Sequence, residues 1–339
     1  MKLNDVVVFY THMPHKPSFL FLSPHEWDER IREADRIATS CGLCPRRCGV
    51  NRMKGEKGFC KAPGELVISS IFPHHGEEPP ISGKNGSGTV FFSYCTLKCL
   101  FCQNYQISHE AEGEPYTPSR LAQKLLDLER LGCHNINLVT PAHFLPWMLR
   151  ALKEAAGLGL SIPLVYNNGG YESPQALGLL RGVADIYLPD MKYGDSGAAR
   201  KYSNAGDYVE VNRAAIIEMF RQVGPLRIDK NEIAYRGLCI RHLALPNGGA
   251  HSEDIVKFLA KAFDPQDLTI SLMAQYRPLY RAHEFPELSR VLTPEEYGSI
   301  RRLFEKADIN GYFQELERMD GGFCIDFKSR KHEPLTGRQ

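Results

Sequence analysis

Gly88-Thr-Val-Phe-Phe-Ser-Tyr-Cys95-Thr-Leu-Lys-Cys99-Leu-Phe-Cys102 joins an apolar, aromatic run to three cysteines within eight residues. The run reads as a buried strand and the cysteines as the loop at its carboxyl end. Three thiolates can hold three corners of a cubic iron–sulfur cluster, and no fourth cysteine follows at ligand spacing. A pure electron carrier closes its cluster with four cysteines. An incomplete set leaves one metal position open, the same logic that separates catalytic from structural zinc sites. The alternative is a zinc knuckle that takes His109 or Cys133 as its fourth ligand.

Downstream of the triad, strand-like segments at 135–140, 162–167, 184–189, 237–244 and 267–273 follow the first one at 89–94. Helix-like segments near 118–131, 145–156, 173–181, 213–223 and 251–262 lie between them. Alternation of this kind predicts βα units and a parallel sheet. Six strands are too few for the closed eight-stranded barrel, so the expected fold is α/β, a partial, open (βα)6 TIM-like barrel. Upstream, the turn-rich Pro79-Pro-Ile-Ser-Gly-Lys-Asn-Gly-Ser-Gly88 marks a boundary. It divides an N-terminal, cysteine-rich extension (1–85) from the core (86–290), and a helical and irregular extension follows at 291–339. Residues 24–39 read as an amphipathic helix capped by Ser23, with Trp27, Ile31, Ala34 and Ile37 or Ala38 on one face. A further helix begins at Thr293.

Ligands of parallel βα folds bind at the carboxyl ends of the strands. Those ends carry Thr140-Pro-Ala-His143, Asn167-Asn-Gly-Gly170, Asp190-Met-Lys192, Arg241 and Gln275-Tyr-Arg277. Asp190 and Lys192, two apart, share a face. Arg241 lies in an apolar strand, where a charge must find a partner. An ion pair of Asp190 with Lys192 or Arg241 is the structural reading; beside an iron–sulfur site, these cations are also suited to a ligand carboxylate. Asn167-Asn-Gly-Gly170 is an ordinary turn by composition, and its amides are free to contact a ligand.

The 339 residues are 43% hydrophobic and 24% charged, ordinary for a globular protein. A formal net charge of +1 gives no electrostatic case for nucleic acid or an anionic membrane. Val6-Val-Val-Phe-Tyr10 and Phe19-Leu-Phe-Leu22 are too short for a targeting signal, and no run approaches a membrane span, so a cytoplasmic protein is expected. Seven of the ten cysteines fall between Cys41 and Cys102, which suits metal ligation; Cys133, Cys239 and Cys324 read as small core residues. Cys41-x2-Cys44-x3-Cys48-x11-Cys60 offers four thiolates, suited equally to tetrahedral zinc and to a closed iron–sulfur cluster.

The triad, with Phe101 before its last cysteine, resembles the C-x3-C-x-aromatic-C signature of radical S-adenosylmethionine enzymes. Together with Cys102-Gln-Asn-Tyr-Gln-Ile-Ser108, Cys41-Gly-Leu-Cys-Pro-Arg-Arg-Cys-Gly-Val-Asn-Arg52, His75-Gly-Glu-Glu-Pro79 and Arg241-His-Leu-Ala-Leu-Pro246, it is similar to proteins related to pyruvate formate-lyase activating enzymes, and more narrowly to the PflX branch. The resemblance spans about residues 40 to 280. It implies a [4Fe-4S] cluster on Cys95, Cys99 and Cys102, and S-adenosylmethionine on the open iron. One-electron cleavage would give a 5′-deoxyadenosyl radical for hydrogen abstraction. It further implies an oxidoreductase served by a reduced flavodoxin- or ferredoxin-type donor, acting on a glycyl-radical enzyme or another peptide- or protein-borne substrate. Asn167, Asn168, Gly169, Asp190, Lys192 and Arg241 would contact S-adenosylmethionine. Activating enzymes carry a Gly-Gly-Glu stretch near the second strand end, where this chain has Thr140-Pro-Ala-His143. His143 is the candidate to replace that amine contact, and Glu77 or Glu78 could supply the carboxylate, although two glutamates in a Pro- and Gly-rich loop ordinarily face solvent. The competing function is a non-catalytic iron–sulfur or zinc protein that transfers electrons or binds metal without cleaving S-adenosylmethionine.

Overall fold

The computed structural model describes residues 15–319 and 325–329; the run at 6–10 and Cys324 lie outside them. The strands are β1 (Leu66–His74), β2 (Ser87–Phe92), β3 (Glu114–Tyr116), β4 (Ile136–Val139), β5 (Leu164–Asn168), β6 (Ile186–Pro189), β7 (Arg227–Ile228), β8 (Ala234–Leu238), β9 (Ile240–Leu243), β10 (Ile270–Met273) and β11 (Gly311–Phe313). The helices are α1 (Pro24–Thr39), α2 (Pro79–Ser82), α3 (Tyr105–Ser108), α4 (Pro118–Arg130), α5 (Leu145–Gly157), α6 (Pro174–Leu180), α7 (Ser196–Ser203), α8 (Tyr208–Val223), α9 (Ser252–Ala262) and α10 (Pro294–Lys306).

The fold is α/β with a mostly parallel sheet, ordered β3-β1-β2-β4-β5-β6-β8-β7, and a smaller parallel sheet β11-β10-β9. Every residue of β2, β4, β5 and β6 is buried, as strands covered on both faces require. The segment expected as one strand at 237–244 is two. β8 pairs with β6, and β9 pairs with β10, with Cys239 between them. An Asp190–Arg241 bridge and the Met191 N–H donating to the Arg241 carbonyl at 2.7 Å carry the parallel series from β6 on to β9. No barrel closes among the described residues: antiparallel β1 and β3 flank β2 on one side, and β11 follows β10 on the other. β1, β3, α7 and β11 are elements that the sequence reading did not contain, and α8 begins at Tyr208 rather than near 213.

Local chemistry explains the helix starts. Ser23 and Glu26 form a reciprocal cap on α1, as do Thr293 and Glu296 on α10. α1 buries Trp27, Ala34, Ile37 and Ala38 and is tied to α5 by Arg150–Asp35 at 2.6 Å and Lys153–Asp28 at 2.5 Å. Cys133 and Cys239 are buried among apolar neighbours. Among the described residues no helix is long and apolar enough to cross a membrane.

Candidate active site

A cavity of about 1560 Å³ opens at the carboxyl ends of the parallel strands. Cys95, Cys99 and Cys102 line it together with Thr140, Asn167, Asn168, Gly169, Asp190, Lys192 and Arg241. The triad loop follows β2 directly, so the strand delivers all three thiols to the cavity. The Leu97 N–H points at Cys95 Sγ at 3.3 Å and the Ser108 hydroxyl at Cys102 Sγ at 3.2 Å. Donors placed this way stabilise charge on a sulfur. Burial pushes the Cys95 thiol up and that of Cys102 up to about 12, with Cys99 adding to both shifts. Three soft donors in mutual electrostatic contact, each with access to one cavity, fit a [4Fe-4S] cluster with an open iron. Of the alternative fourth ligands, His109 spends Nε2 on the Cys99 carbonyl at 3.0 Å and stacks on Tyr280, while Cys133 is buried elsewhere; neither lines the cavity.

On the same lining, Asp190 holds two cations at once. Lys192 Nζ lies 2.5 Å from its Oδ2 and Arg241 Nε lies 2.8 Å from its Oδ1. Burial works to raise the Asp190 carboxyl, but Arg241 and Lys192 outweigh it and keep it below the usual range. Burial likewise works against the Lys192 ammonium, and Asp190 reverses the balance and raises it. Arg241 Nη2 donates to Asn167 Oδ1 at 2.7 Å, so Asn167 joins the same network. Asn168 is turned to the backbone: its Oδ1 accepts from the Gly170 N–H at 2.8 Å. Gly170 must be glycine. Its φ is +72°, and a Cβ there would stand 2.1 Å from both Asn212 Nδ2 and the Asp190 carbonyl. Thr140, a β-branched residue at φ +57°, holds the β4 end in a strained conformation of the kind that concentrates at functional sites.

Three placements depart from expectation. Glu77 and Glu78 do not face solvent; the β1–β2 connection folds under the cavity and puts both on its lining. Glu77 receives Asn137 Nδ2 at 3.0 Å and Arg241 Nη1 at 3.4 Å. Glu78 is 6% exposed, with Oε2 unpartnered among the described residues, and burial pushes its carboxyl up to about 7. His143 does not reach the cavity. It is 1% exposed beneath the β2 end, its Nε2 bonded to the Ser93 carbonyl at 2.8 Å, and burial lowers it to about 3, so it is a neutral packing residue. Arg277 points away and donates to the Met319 carbonyl, whereas Gln275 lines the cavity. Sequence reasoning also missed Tyr208 and Asn212 of α8. The Tyr208 hydroxyl accepts from the Lys192 N–H at 2.9 Å, and Asn212 Nδ2 donates to the Gly170 and Asp190 carbonyls at 3.0 and 2.9 Å. On a helix pattern alone they read as core positions.

The four N-terminal cysteines gather beside the triad. Cys41, Cys44 and Cys60 are buried and Cys48 half-buried. Burial raises the Cys44 thiol, and Cys60, Cys41 and Cys48 push it further, so the four sulfurs feel one another. The Phe59 N–H points at Cys48 Sγ at 3.2 Å, and a Cβ on Gly58 would meet that sulfur at 2.8 Å. The described cysteines are free thiols, and among the described residues no three His, Cys, Asp or Glu side chains close on a single ion. Arg46 joins the two cysteine loops: its Nε donates to the Thr96 carbonyl at 3.1 Å, and its Nη2 to those of Leu97 at 3.4 Å and Ser203 at 2.9 Å.

No family model matches the chain. Among solved structures it is similar to methylornithine synthase (PylB), with a TM-score of 0.45 and 14% identity over 91% of this chain and 85% of that one. A radical SAM methyltransferase from Sphaerobacter thermophilus gives 0.42 and 12%, over 68% and 67%. In sequence, the chain is 32% identical over 302 residues to the uncharacterized protein MJ0674 of Methanocaldococcus jannaschii, covering 86% of this chain and 81% of that protein. Identity of that extent places this protein in the family of MJ0674.

Proposed function

We propose that the protein is a radical S-adenosylmethionine enzyme built on a partial (βα)6 barrel. The observation that carries this reading is the presence, on the lining of one cavity, of three thiols lacking a fourth together with the Asp190–Lys192–Arg241 network. Cys95, Cys99 and Cys102 would hold a [4Fe-4S] cluster. Such a cluster would supply one-electron reductive cleavage of bound S-adenosylmethionine, the chemistry that lets these enzymes abstract hydrogen from a substrate. Lys192 and Arg241 are placed to bind the carboxylate of the cofactor. Asp190 keeps both cations charged and aimed, and Tyr208 and Asn212 hold the backbone that carries them. The Asn167–Gly169 turn offers its amides to the methionine or ribose.

Within the superfamily, the motifs favour the activating-enzyme-like PflX branch, and an oxidoreductase of the cytoplasm served by a flavodoxin- or ferredoxin-type donor. The cavity size supports a peptide or protein loop as substrate. The four-cysteine site is read as a second metal centre, zinc or iron–sulfur. Anaerobic reconstitution followed by assay for 5′-deoxyadenosine tests the core of this reading. Wild-type protein is expected to form it and Cys99→Ala to lose it, since two thiolates cannot hold a site-differentiated cube. Undiminished cleavage in Cys99→Ala would refute the assignment.

A further inference from the structure

Glu78 is a carboxylate that neither its helix nor its neighbours use. It stands at the N-terminus of α2, but its side chain makes no capping bond there. It lines the cavity, is 6% exposed, and its Oε2 has no partner among the described residues. Glu77, by contrast, is matched to Asn137 and Arg241. The Asn137 amide that donates to Glu77 leaves its own Oδ1 unpartnered, a second enclosed acceptor in the same corner. Of the Lys, Arg, Asp and Glu side chains on the cavity lining, two are cations, Lys192 and Arg241, against three carboxylates, Asp190, Glu77 and Glu78. Lys192 pairs with Asp190, and Arg241 with Asp190 and Glu77, which leaves Glu78 without an ion pair among the described residues. Enclosed acceptors that lack donors cost free energy, and a cationic donor would offset that cost.

This corner is distinct from the one that holds the thiols. Lys192 is the cation whose field reaches Cys95 and Cys102, whereas Arg241 is the cation acting on Glu77 and Glu78. Asp190 bonds both cations, so contacts run from the thiols through Lys192, Asp190 and Arg241 to the glutamates. Register sets Arg241, Ser271 and Tyr312 level on β9, β10 and β11. Glu78 meets this row: the Ser271 hydroxyl favours its charged form, and its charge acts on Tyr312. A guanidinium is best matched by both oxygens of a carboxylate, but a compact ammonium needs only one, and Oε2 is the oxygen left over. Two residues along from Arg241 and Ser271, on the same faces, Leu243 and Met273 also line the cavity and offer an apolar flank to an alkyl stem.

We propose that Glu78 anchors a primary ammonium group, carried on an alkyl stem by the substrate, at the Arg241 end of the cavity. Glu78 acts by charge and hydrogen bond, and no covalent bond is made or broken there. That the bound molecule is the substrate rests on the radical reading above; the ammonium site itself does not.

The test measures binding to the full-length, reconstituted protein with two pairs of probes. One pair is a blocked glycyl-lysyl-glycine peptide and the same peptide with norleucine for lysine; the other is pentylamine and pentanol. Each pair shares a stem and differs in the ammonium. Wild-type protein is expected to prefer the ammonium member by about tenfold or more. Glu78→Gln should lose that preference, while S-adenosylmethionine binds variant and wild type alike. Preference in the peptide pair supports the site and assigns the ammonium to a peptide; preference confined to the free pair supports it and assigns a small amine. No preference in either pair, or a preference that survives in Glu78→Gln, would overturn the proposal. So would an equal loss of S-adenosylmethionine affinity in the variant, which would give Glu78 to the cofactor. Should Glu78→Gln lose its circular dichroism, Glu78→Asp decides: it keeps the charge but withdraws it by one carbon, so the preference should shrink, and an unchanged one would overturn the site. Formation of 5′-deoxyadenosine with dithionite in the same samples judges the radical reading separately; its absence sinks that reading and leaves the binding comparison to judge the ammonium site.

Discussion

Glu78 illustrates how one side chain's surroundings reverse the reading of its sequence. Pro- and Gly-rich neighbours suggest exposure, yet the β1–β2 connection tucks Glu78 beneath the cavity, where Oε2 has no partner among the described residues. Burial is the largest influence on its carboxyl and raises it to about 7, against the pull of Arg241. The folded-state value therefore lies above the 4.5 of a free glutamate. Stability from this group is fully present below about pH 4.5 and is lost as pH rises through about 7. Glu78→Gln removes that titration. The difference in thermal midpoint, variant minus wild type, should grow between those two pH values and then level off; a flat difference would contradict the assignment. The thiols were legible one by one, because spacing alone brings cysteines together. Glu77, Glu78 and His143 were not, because nothing local records that one loop turns under a cavity and that a histidine at a strand end turns beneath Ser93.

Among the elements, the turn after β5 is the tightest junction. Gly170 packs against the Asp190 carbonyl and Asn212, which themselves hold the loop bearing Lys192. Gly170→Ala adds a strained φ and two steric overlaps, so it should cost about 2 kcal/mol or more. That is a fall of roughly 3 °C in thermal midpoint for a chain of this length, accompanied, on the reading proposed above, by weaker S-adenosylmethionine binding; a midpoint within a degree of wild type would count against this account. The helices α1 and α10 were readable because caps are local chemistry. β1 was not. Its Pro73 reads as a breaker, and what makes Leu66–His74 a strand is pairing with β2 and β3 on either side. The single strand-like run at 237–244 hid a change of partner at Cys239, from β6 to β10, which no periodicity signals.

For the molecule as a whole, the reading proposed above makes the two thiol groups separate metal sites on one scaffold. Replacing Cys95, Cys99 and Cys102 together with alanine should leave the N-terminal site loaded, with one zinc or about four irons per chain by metal analysis; a variant with neither would refute the second site. The α/β class and the gathering of polar strand ends were legible from the order of elements. The route of the sheet was not, because the step from β6 to β9 depends on a single bridge at Asp190 and Arg241. The Arg46 guanidinium has a consequence beyond geometry. Its hydrogen bonds go to main-chain carbonyls of two stretches, the triad loop (Thr96 and Leu97) and the end of α7 (Ser203 and Asn204), and a guanidinium does not shed its proton at any ordinary pH. Neither cysteine loop can then fray without breaking bonds in the other, so the two open and close as one cooperative unit. A ligand bound at either loop would slow amide exchange in both, so that on the two-site reading the order of loading becomes a question of folding as much as of affinity.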